Sequence, residues 1–350
     1  SKLIPFYNPR LPRELMPFLE SLLRSYPGLD NLHTANAPTD EGFYALHASR
    51  LGCEQDIRHG LGRIDSFSSL LREEGYLTCV LSACTRHYGD KEVFFRSLLR
   101  YERFLAEEDI RKCLPDAKSC AWGVGDRSLY SMALKVLEDN RNKPVLLTVE
   151  TCDTHPPFSW TMDEEQFPQS VGRTRSRLLR SLHQVDRDLC FFLSALAKKK
   201  LFDDDTLIII TADHTPTHGS EFLSYTGKDG FFPGRVPFVC VCRKPENNPL
   251  GKVRRNILCT QLDVFPTLID WLGLKRVDNV LGRSLFLGVD NAVISKYGRK
   301  MRIKNDRTDT VFDLDDNRED EDSHIRTFVK WYNNSLLRPP ASPKIVAGSL

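Results

Sequence analysis

Two short runs, VLLTVE at 145–150 and TLIIIT at 206–211, are apolar almost without interruption and only as long as a strand. A strand that offers apolar side chains to both faces must be covered on both, which happens in parallel sheets flanked by helices. YLTCVLS at 76–82 and VPFVCVC at 236–242 repeat the pattern. Between these runs lie segments of helical period. They cover 11–23, 66–74 (stopped by Gly75), 126–140 with Asp126 as N-cap, 177–200, and 261–272, where Pro266 demands a kink or a late start. No internal repeat and no low-complexity linker divides the chain. The alternation predicts an α/β fold with a largely parallel central sheet covered by helices on both faces.

The 350 residues suffice for one large α/β domain or two modest ones. Lys and Arg number 49 against 47 Asp and Glu, so no basic surface is implied and nucleic acid is not an expected partner. No apolar run reaches the roughly 18 residues a membrane span needs, and SKLIPFYNPRLPREL at the start holds no signal-peptide core. The ten cysteines form no C-x-x-C pair, which speaks against a zinc ribbon. Cys240 and Cys242 read as core residues, and Cys113 and Cys120 are close enough in sequence to pair in an oxidising compartment.

In sheets of this kind the chemistry gathers beyond the carboxyl ends of the strands. Asp213-His214, with His218 shortly after, follows TLIIIT; Thr151-Cys152-Asp153-Thr154-His155 follows VLLTVE. An Asp-His pair at a strand end offers an oxygen and an imidazole nitrogen to one divalent cation; a capping Asp beside a satisfied His is the plainer alternative. NAPTDEGFYAL at 36–46 places Thr39 at the start of an apolar, helix-like stretch. There its hydroxyl lies in the positive end of a helix dipole, as nucleophile or as simple cap. Arg86 and His87 follow the strand 76–82 and reach the same crevice unless they are solvated loop residues.

These segments, in this order, resemble the sulfatase-like branch of the alkaline-phosphatase superfamily, above all lipoteichoic acid synthase and related phosphoglycerol and phosphoethanolamine transferases. PTDEGFYAL resembles the nucleophile segment, AWGVGDRSLY at 121–130 the Trp-Gly turn before a helix, and TCDTHPPF the strand end near the substrate phosphate. LFDDDTLIIITADHT at 201–215 is similar to the metal-ligand strand, and VFDLDDNRED at 311–320 to a C-terminal sulfatase segment. The resemblance implies an alkaline-phosphatase-like fold with a sulfatase-like catalytic domain over 1–290 and a C-terminal subdomain and tail over 291–350 packed on the same core. It implies Thr39 as nucleophile; Thr39, Asp213 and His214 as ligands of one divalent ion, with Mn²⁺ expected before Zn²⁺, Mg²⁺ or Ca²⁺; and His155, His218, Arg86 and His87 as substrate contacts, with His155 also catalytic.

The implied reaction is transfer of a phosphoryl-linked head group through a phospho-threonine. The implied substrate is a phospholipid or other phosphodiester outside the cytoplasm, with the membrane reached through an upstream anchor. Hydrolysis of sulfate or phosphate esters and diesters is the alternative enzyme reading; a non-catalytic domain of the same fold is the third. Two departures stand out. The family's first strand and its acidic ligand have no counterpart before residue 11, where the nearest acidic residue is Glu14. The Cys-Leu-Pro-Asp-Ala at 113–117 lacks the arginine of the formylglycine motif and reads as a loop.

Overall fold

The computed structural model describes residues 3–52, 64–158, 162, 164–174, 176–215, 225, 234–275, 277–278, 280–288, 292–305 and 309–313. The first half contains α1 (Pro17–Ser25), β1 (Leu32–His33), α2 (Thr39–Ala48), α3 (Phe67–Glu73), β2 (Leu77–Ser82), β3 (Arg103–Leu105), α4 (Glu107–Cys113), β4 (Ser119–Cys120), β5 (Gly123–Val124) and α5 (Asp126–Asp139). There follow β6 (Val145–Glu150), α6 (Arg177–Lys198), β7 (Ile208–Thr211), β8 (Phe238–Val241), β9 (Cys259–Thr260), α7 (Val264–Leu272), β10 (Val293–Tyr297), β11 (Lys300–Lys304) and β12 (Asp309–Asp313).

Strands β3, β2 and β6 form a parallel ladder in that order. β7 pairs antiparallel with β8, and β1 pairs parallel with β9. Bridges from Gly28 to Val239 and from His33 to Arg235 tie the β1 region to β8. The expected parallel pairing holds for β2, β3 and β6, and the expected burial on both faces holds for β2 and β8, which are buried at every position. It does not hold for β6 and β7: Val145–Val149 and Ile208–Thr211 are only half-buried. Among the described residues each of these two strands is laddered along one edge only, so apolar side chains and backbone polar groups at the other edge stay partly open. No strand precedes α1 among the described residues; 3–16 is a series of turns.

Helix α1 starts later than its apolar pattern predicts because Pro17, which has no N–H to give, fits only the first turn. Its free N–H groups are taken by Asp186 of α6, whose carboxylate accepts from Phe18 at 2.9 Å and Leu19 at 2.7 Å. His183 of the same helix holds the preceding turn through the carbonyls of Glu14 and Leu15. Helices α5 and α6 pack on each other through Tyr130 stacked on Phe192 at 4.7 Å, over a core that includes Leu23, Leu129, Leu179 and Leu196. Each such leucine contributes about 1.5–3 kcal/mol relative to exposure. Pro266 is accommodated by a late start, because 261–263 is a 3₁₀ turn and the α-helix begins at Val264.

Strands β10, β11 and β12 form an antiparallel sheet. It is attached to the loop before α2: Ser295 Oγ donates to the Thr34 carbonyl at 2.6 Å, and the Lys296 N–H donates to the Ala35 carbonyl at 2.7 Å. Of VFDLDDNRED only Val311–Asp313 falls within the described residues. Among those residues no helix is long and apolar enough to cross a membrane.

Candidate active site

The carboxyl ends of β6 and β7 and the amino end of α2 meet at one place. Gln261, fully buried, joins two of these pieces. Its Oε1 accepts the Ala35 N–H at 2.9 Å, and its Nε2 donates to the carbonyls of Ala212 at 2.9 Å and Asp213 at 2.6 Å. One amide thus fixes the loop that enters α2 against the segment that leaves β7. Glu41 closes the other side of that loop, accepting from Asn36 Nδ2 and from the Gly52 N–H, both at 2.8 Å.

Helix α2 passes so close to β7 that a side chain at Gly42 has no room. A Cβ there would sit 2.3 Å from the Asp213 carbonyl oxygen and 2.8 Å from its carbon. Gly42→Ala must therefore push α2 off the strand end or distort it. We expect a loss of about 1–3 kcal/mol in denaturant unfolding, with a loss of whatever activity depends on Thr39 and His214 lying together. Unchanged stability and turnover would mean that the close approach is not required.

The approach brings Thr39 to His214. Thr39 is the first residue of α2, with Pro38 rather than Thr39 as the N-cap, and its Oγ1 lies 3.5 Å from His214 Nε2. Asp213 Oδ2 is 3.4 Å from the same nitrogen. His214 Nδ1 is 2.7 Å from the Thr215 carbonyl oxygen, which can only accept, so Nδ1 carries a proton and Nε2 is the ring nitrogen turned toward Thr39 and Asp213. Asp213 Oδ1 accepts the His214 N–H at 2.8 Å, which orients the carboxylate. A hydroxyl oxygen, a carboxylate oxygen and an imidazole nitrogen converge, a donor set suited to Mn²⁺ or Zn²⁺. The three residues expected as ligands are thus together, and their chemistry fits a divalent cation.

Beside Thr39 lies a buried charge network that the sequence pattern does not reveal. Lys91 is 4% exposed, with its Nζ bonded to Glu150 at the end of β6 and 3.6 Å from Asp40 Oδ1. Ser82, at the end of β2, donates to the other Glu150 oxygen at 2.6 Å. Burial pushes the Asp40 carboxyl up, and Lys91 opposes that rise only in part. Burial alone would lower the Lys91 ammonium pKa, but the charges of Glu150 and Asp40 outweigh it and hold the pKa above its usual value. The network ties the first turn of α2 to the ends of β2 and β6.

His155 stands just beyond β6 and is exposed. Its Nδ1 bonds to the Pro156 carbonyl at 2.9 Å, and Trp122 Nε1 donates to the same oxygen at 2.6 Å. The two rings meet edge to face, with centroids 4.3 Å apart. Behind them Asp126 and Asp153 hold the two segments together. The Asp126 N–H donates to Asp153 Oδ2 at 3.0 Å, and the N–H groups of Cys152 and Asp153 donate to Asp126 Oδ1 at 2.9 and 3.2 Å. Asp126 therefore does not cap α5 as its position suggests; Gly125 is the N-cap and the carboxylate is turned to the neighbouring segment. Burial, then the nearby Asp153, raises the Asp126 carboxyl well above the usual range.

Arg86 and His87 line an open cavity of about 400 Å³ together with Asp90, Glu92 and Arg96. The Arg86 guanidinium is already paired, to Glu92 at 2.8 Å and to Asp109. His218 lies outside the described residues. The expected pairing of Cys113 with Cys120 gives way to another: Cys120 lies against Cys152, Sγ to Sγ 3.0 Å, while Cys113 is exposed.

The sulfatase family model matches residues 10–274. The multifunctional alkaline phosphatase superfamily protein PehA of Trinickia caryophylli is 30% identical over 116 residues, 33% of this chain and 22% of that protein. Among solved structures, the lipoteichoic acid synthase LtaP of Listeria monocytogenes superposes with a TM-score of 0.69 at 17% identity, covering 93% of this chain and 85% of LtaP. An alkaline phosphatase superfamily protein of Vibrio parahaemolyticus gives 0.71 at 17% identity over 92% and 82%. The phosphonate monoester hydrolase of Agrobacterium radiobacter gives 0.56 at 16% identity over 92% and 90%. With a family match over most of its length and an alkaline-phosphatase-like fold, the chain belongs to the sulfatase family.

Proposed function

We propose that this chain transfers a phosphoryl-linked head group, of the phosphoglycerol or phosphoethanolamine type, from a lipid or other phosphodiester outside the cytoplasm. The observation that carries the reading is the approach of Thr39 Oγ1 to His214 Nε2 at the amino end of α2. A threonine at that point favours phosphoryl over sulfate esters, because sulfatase chemistry rests on a formylglycine made from Cys or Ser.

Thr39, Asp213 and His214 would hold one divalent cation, Mn²⁺ before the others. When bound, such an ion lowers the pKa of the Thr39 hydroxyl and neutralises phosphoryl charge. Thr39 Oγ1 gives up its proton to solvent and attacks phosphorus as the bond to the leaving alkoxide breaks, giving a phospho-threonine. The N–H groups of the first turn of α2 face the developing negative charge. His155 Nδ1 donates to the Pro156 carbonyl, and in the doubly protonated ring Nε2–H would bind a phosphoryl oxygen or give its proton to the leaving alkoxide. An acceptor hydroxyl, or water, then displaces Thr39.

The test is parallel turnover of a chromogenic phosphodiester, phosphomonoester and sulfate ester, with Mn²⁺ and with chelator. Diester turnover that needs Mn²⁺ is expected, and a glycerol acceptor should divert product from hydrolysis to transfer. Preference for the sulfate ester would overturn the reading in favour of a sulfatase. Absence of turnover together with absence of Mn²⁺ binding in calorimetry would point to a non-catalytic member of the fold.

A further inference from the structure

Outside the ligand set, one pair of nucleophilic side chains is held in contact without a role in the proposed reaction. Cys120 ends β4 and Cys152 follows β6, and their sulfurs are 3.0 Å apart. Both point at one oxygen, the Val124 carbonyl, at 3.6 and 3.5 Å. The segments that carry them are already docked by the reciprocal bonds of Asp126 and Asp153 and by the turn in which the Gly125 N–H donates to the Lys118 carbonyl at 2.8 Å. Closing the remaining gap to a bonded sulfur pair, about 2.05 Å, needs a side-chain adjustment of about 1 Å.

We infer that Cys120 and Cys152 form a disulfide that locks the Trp122 turn to the His155 turn. Cys120 is half-buried and Cys152 is 8% exposed, which assigns the order of events. The Trp122 N–H donates toward Cys120 Sγ at 3.4 Å, and the two sulfurs share a hydrogen bond; the contact with Cys152, then the bond from Trp122, lowers the Cys120 pKa against the opposing effect of burial and favours its thiolate. The Cys120 thiolate attacks a small disulfide RSSR, forming a mixed disulfide and releasing RS⁻. Cys152 loses its proton to that leaving thiolate and attacks Cys120 sulfur, expelling the second RS⁻, which takes the Cys120 proton from solvent. The sum is two protein thiols plus RSSR giving one protein disulfide plus two RSH.

A zinc site is the rival use, since Cys120, Cys152 and an oxygen of Asp153 all lie within 4.8 Å of one another. Two thiolates on a tetrahedral zinc sit roughly 3.8 Å apart when each Zn–S bond is about 2.3 Å. The observed 3.0 Å is closer than that. Asp153 Oδ2 already accepts from Asp126 and from Gln184 Nε2 at 3.4 Å, while its buried Oδ1 has no hydrogen-bond partner, so it is the sulfur–sulfur distance that decides for the disulfide.

The pair differs from the notional 113–120 link and also from a link to Cys84, a buried thiol at the end of β2 close enough to Cys120 to be felt electrostatically. The experiment incubates the full chain in oxidised glutathione, quenches it in acid, alkylates it and digests it with trypsin. The expected product joins peptide 119–127 to peptide 142–173, at a mass two hydrogens below their sum, and disappears with dithiothreitol. Oxidation should raise the melting temperature by about 5 °C, an effect absent in Cys120→Ser. Should Cys152→Ser fail to fold, Cys120→Ser still removes the linked peptide. Both thiols alkylated in the oxidised sample, Cys120 joined to Cys84 or Cys113, or stoichiometric Zn²⁺ bound through both sulfurs with the thiols kept from oxidation, would each overturn the assignment. None of these readouts depends on turnover, so the result is independent of the proposed activity.

Discussion

Thr39→Ala is expected to lower phosphodiester turnover by about 10³-fold or more while leaving the fold intact. The two halves of that expectation come from different observations. The hydroxyl is the one group at the amino end of α2 that faces both His214 and, through it, Asp213. Removing it deletes the bond-forming atom, and no neighbouring side chain can replace it: Asp40 is drawn into the Lys91 network and Glu41 is bound to Asn36 and Gly52. Yet Thr39 is half-exposed and is not the helix N-cap, so truncation should cost no more than about 0.5 kcal/mol in unfolding. Thr39→Ser keeps an oxygen but loses the β-branch that restricts χ1, so an intermediate rate is expected, about tenfold below the parent. A Thr39→Ala variant that turns over as fast as the parent would remove the nucleophile assignment and with it the phosphoryl-transfer reading.

The parts of this picture that could be read from sequence are those written in local patterns. Val145–Glu150 and Ile208–Thr211 are strands because an apolar run of that length has few other homes, and the polar clusters of the candidate site stand just beyond their carboxyl ends, where α/β sheets gather such groups. Gly75, at positive φ, stops α3 as expected, while Ser66, read as the first residue of the helix, is its N-cap. What escaped is what the tertiary fold decides. Gln261 reads as the start of a helix, and nothing local says that its amide will bridge Ala35 to Asp213, residues far away on either side. Lys91 lies in a polar stretch and looks solvated, but two carboxylates from distant segments draw it inside. Asp126 has the residue type and position of an N-cap, and loses that role to the N–H groups of Cys152 and Asp153. The cysteine pairing fails for the same reason: nearness in sequence favoured Cys113, whereas the end of β6 delivers Cys152. The half-exposed faces of β6 and β7 also go beyond their pattern, since an apolar run states what a strand needs to have covered and not what covers it.

Lys91→Met should destabilise the protein by about 3–5 kcal/mol, the largest stability loss expected from a single substitution near the site. The reason is not that the ion pair is worth that much. Methionine fills nearly the same volume, so packing changes little. The cost arises chiefly at Glu150, 8% exposed, which would be left as a buried carboxylate with Ser82 as the one remaining donor among the described residues, and to a lesser degree at the half-buried Asp40, whose Oδ1 has no hydrogen-bond partner. Lys91→Met with Glu150→Gln should then recover at least half of the loss, because the glutamine is neutral and can still accept from Ser82. The pH dependence has a definite sign. In the single variant the stranded carboxylates bind protons more tightly in the folded state than in the unfolded chain. The folded state then holds the extra protons, and stability should rise as pH falls from neutral toward the ordinary carboxylate range. The double variant should show a weaker slope, left to Asp40 alone. Denaturant midpoints for the parent, both single variants and the double variant at pH 7 and pH 5 measure all of this. If Lys91→Met shifts the midpoint by less than the equivalent of about 1 kcal/mol, the network is wet and exchangeable, and its link between the first turn of α2 and the end of β6 cannot be what holds Thr39 in place.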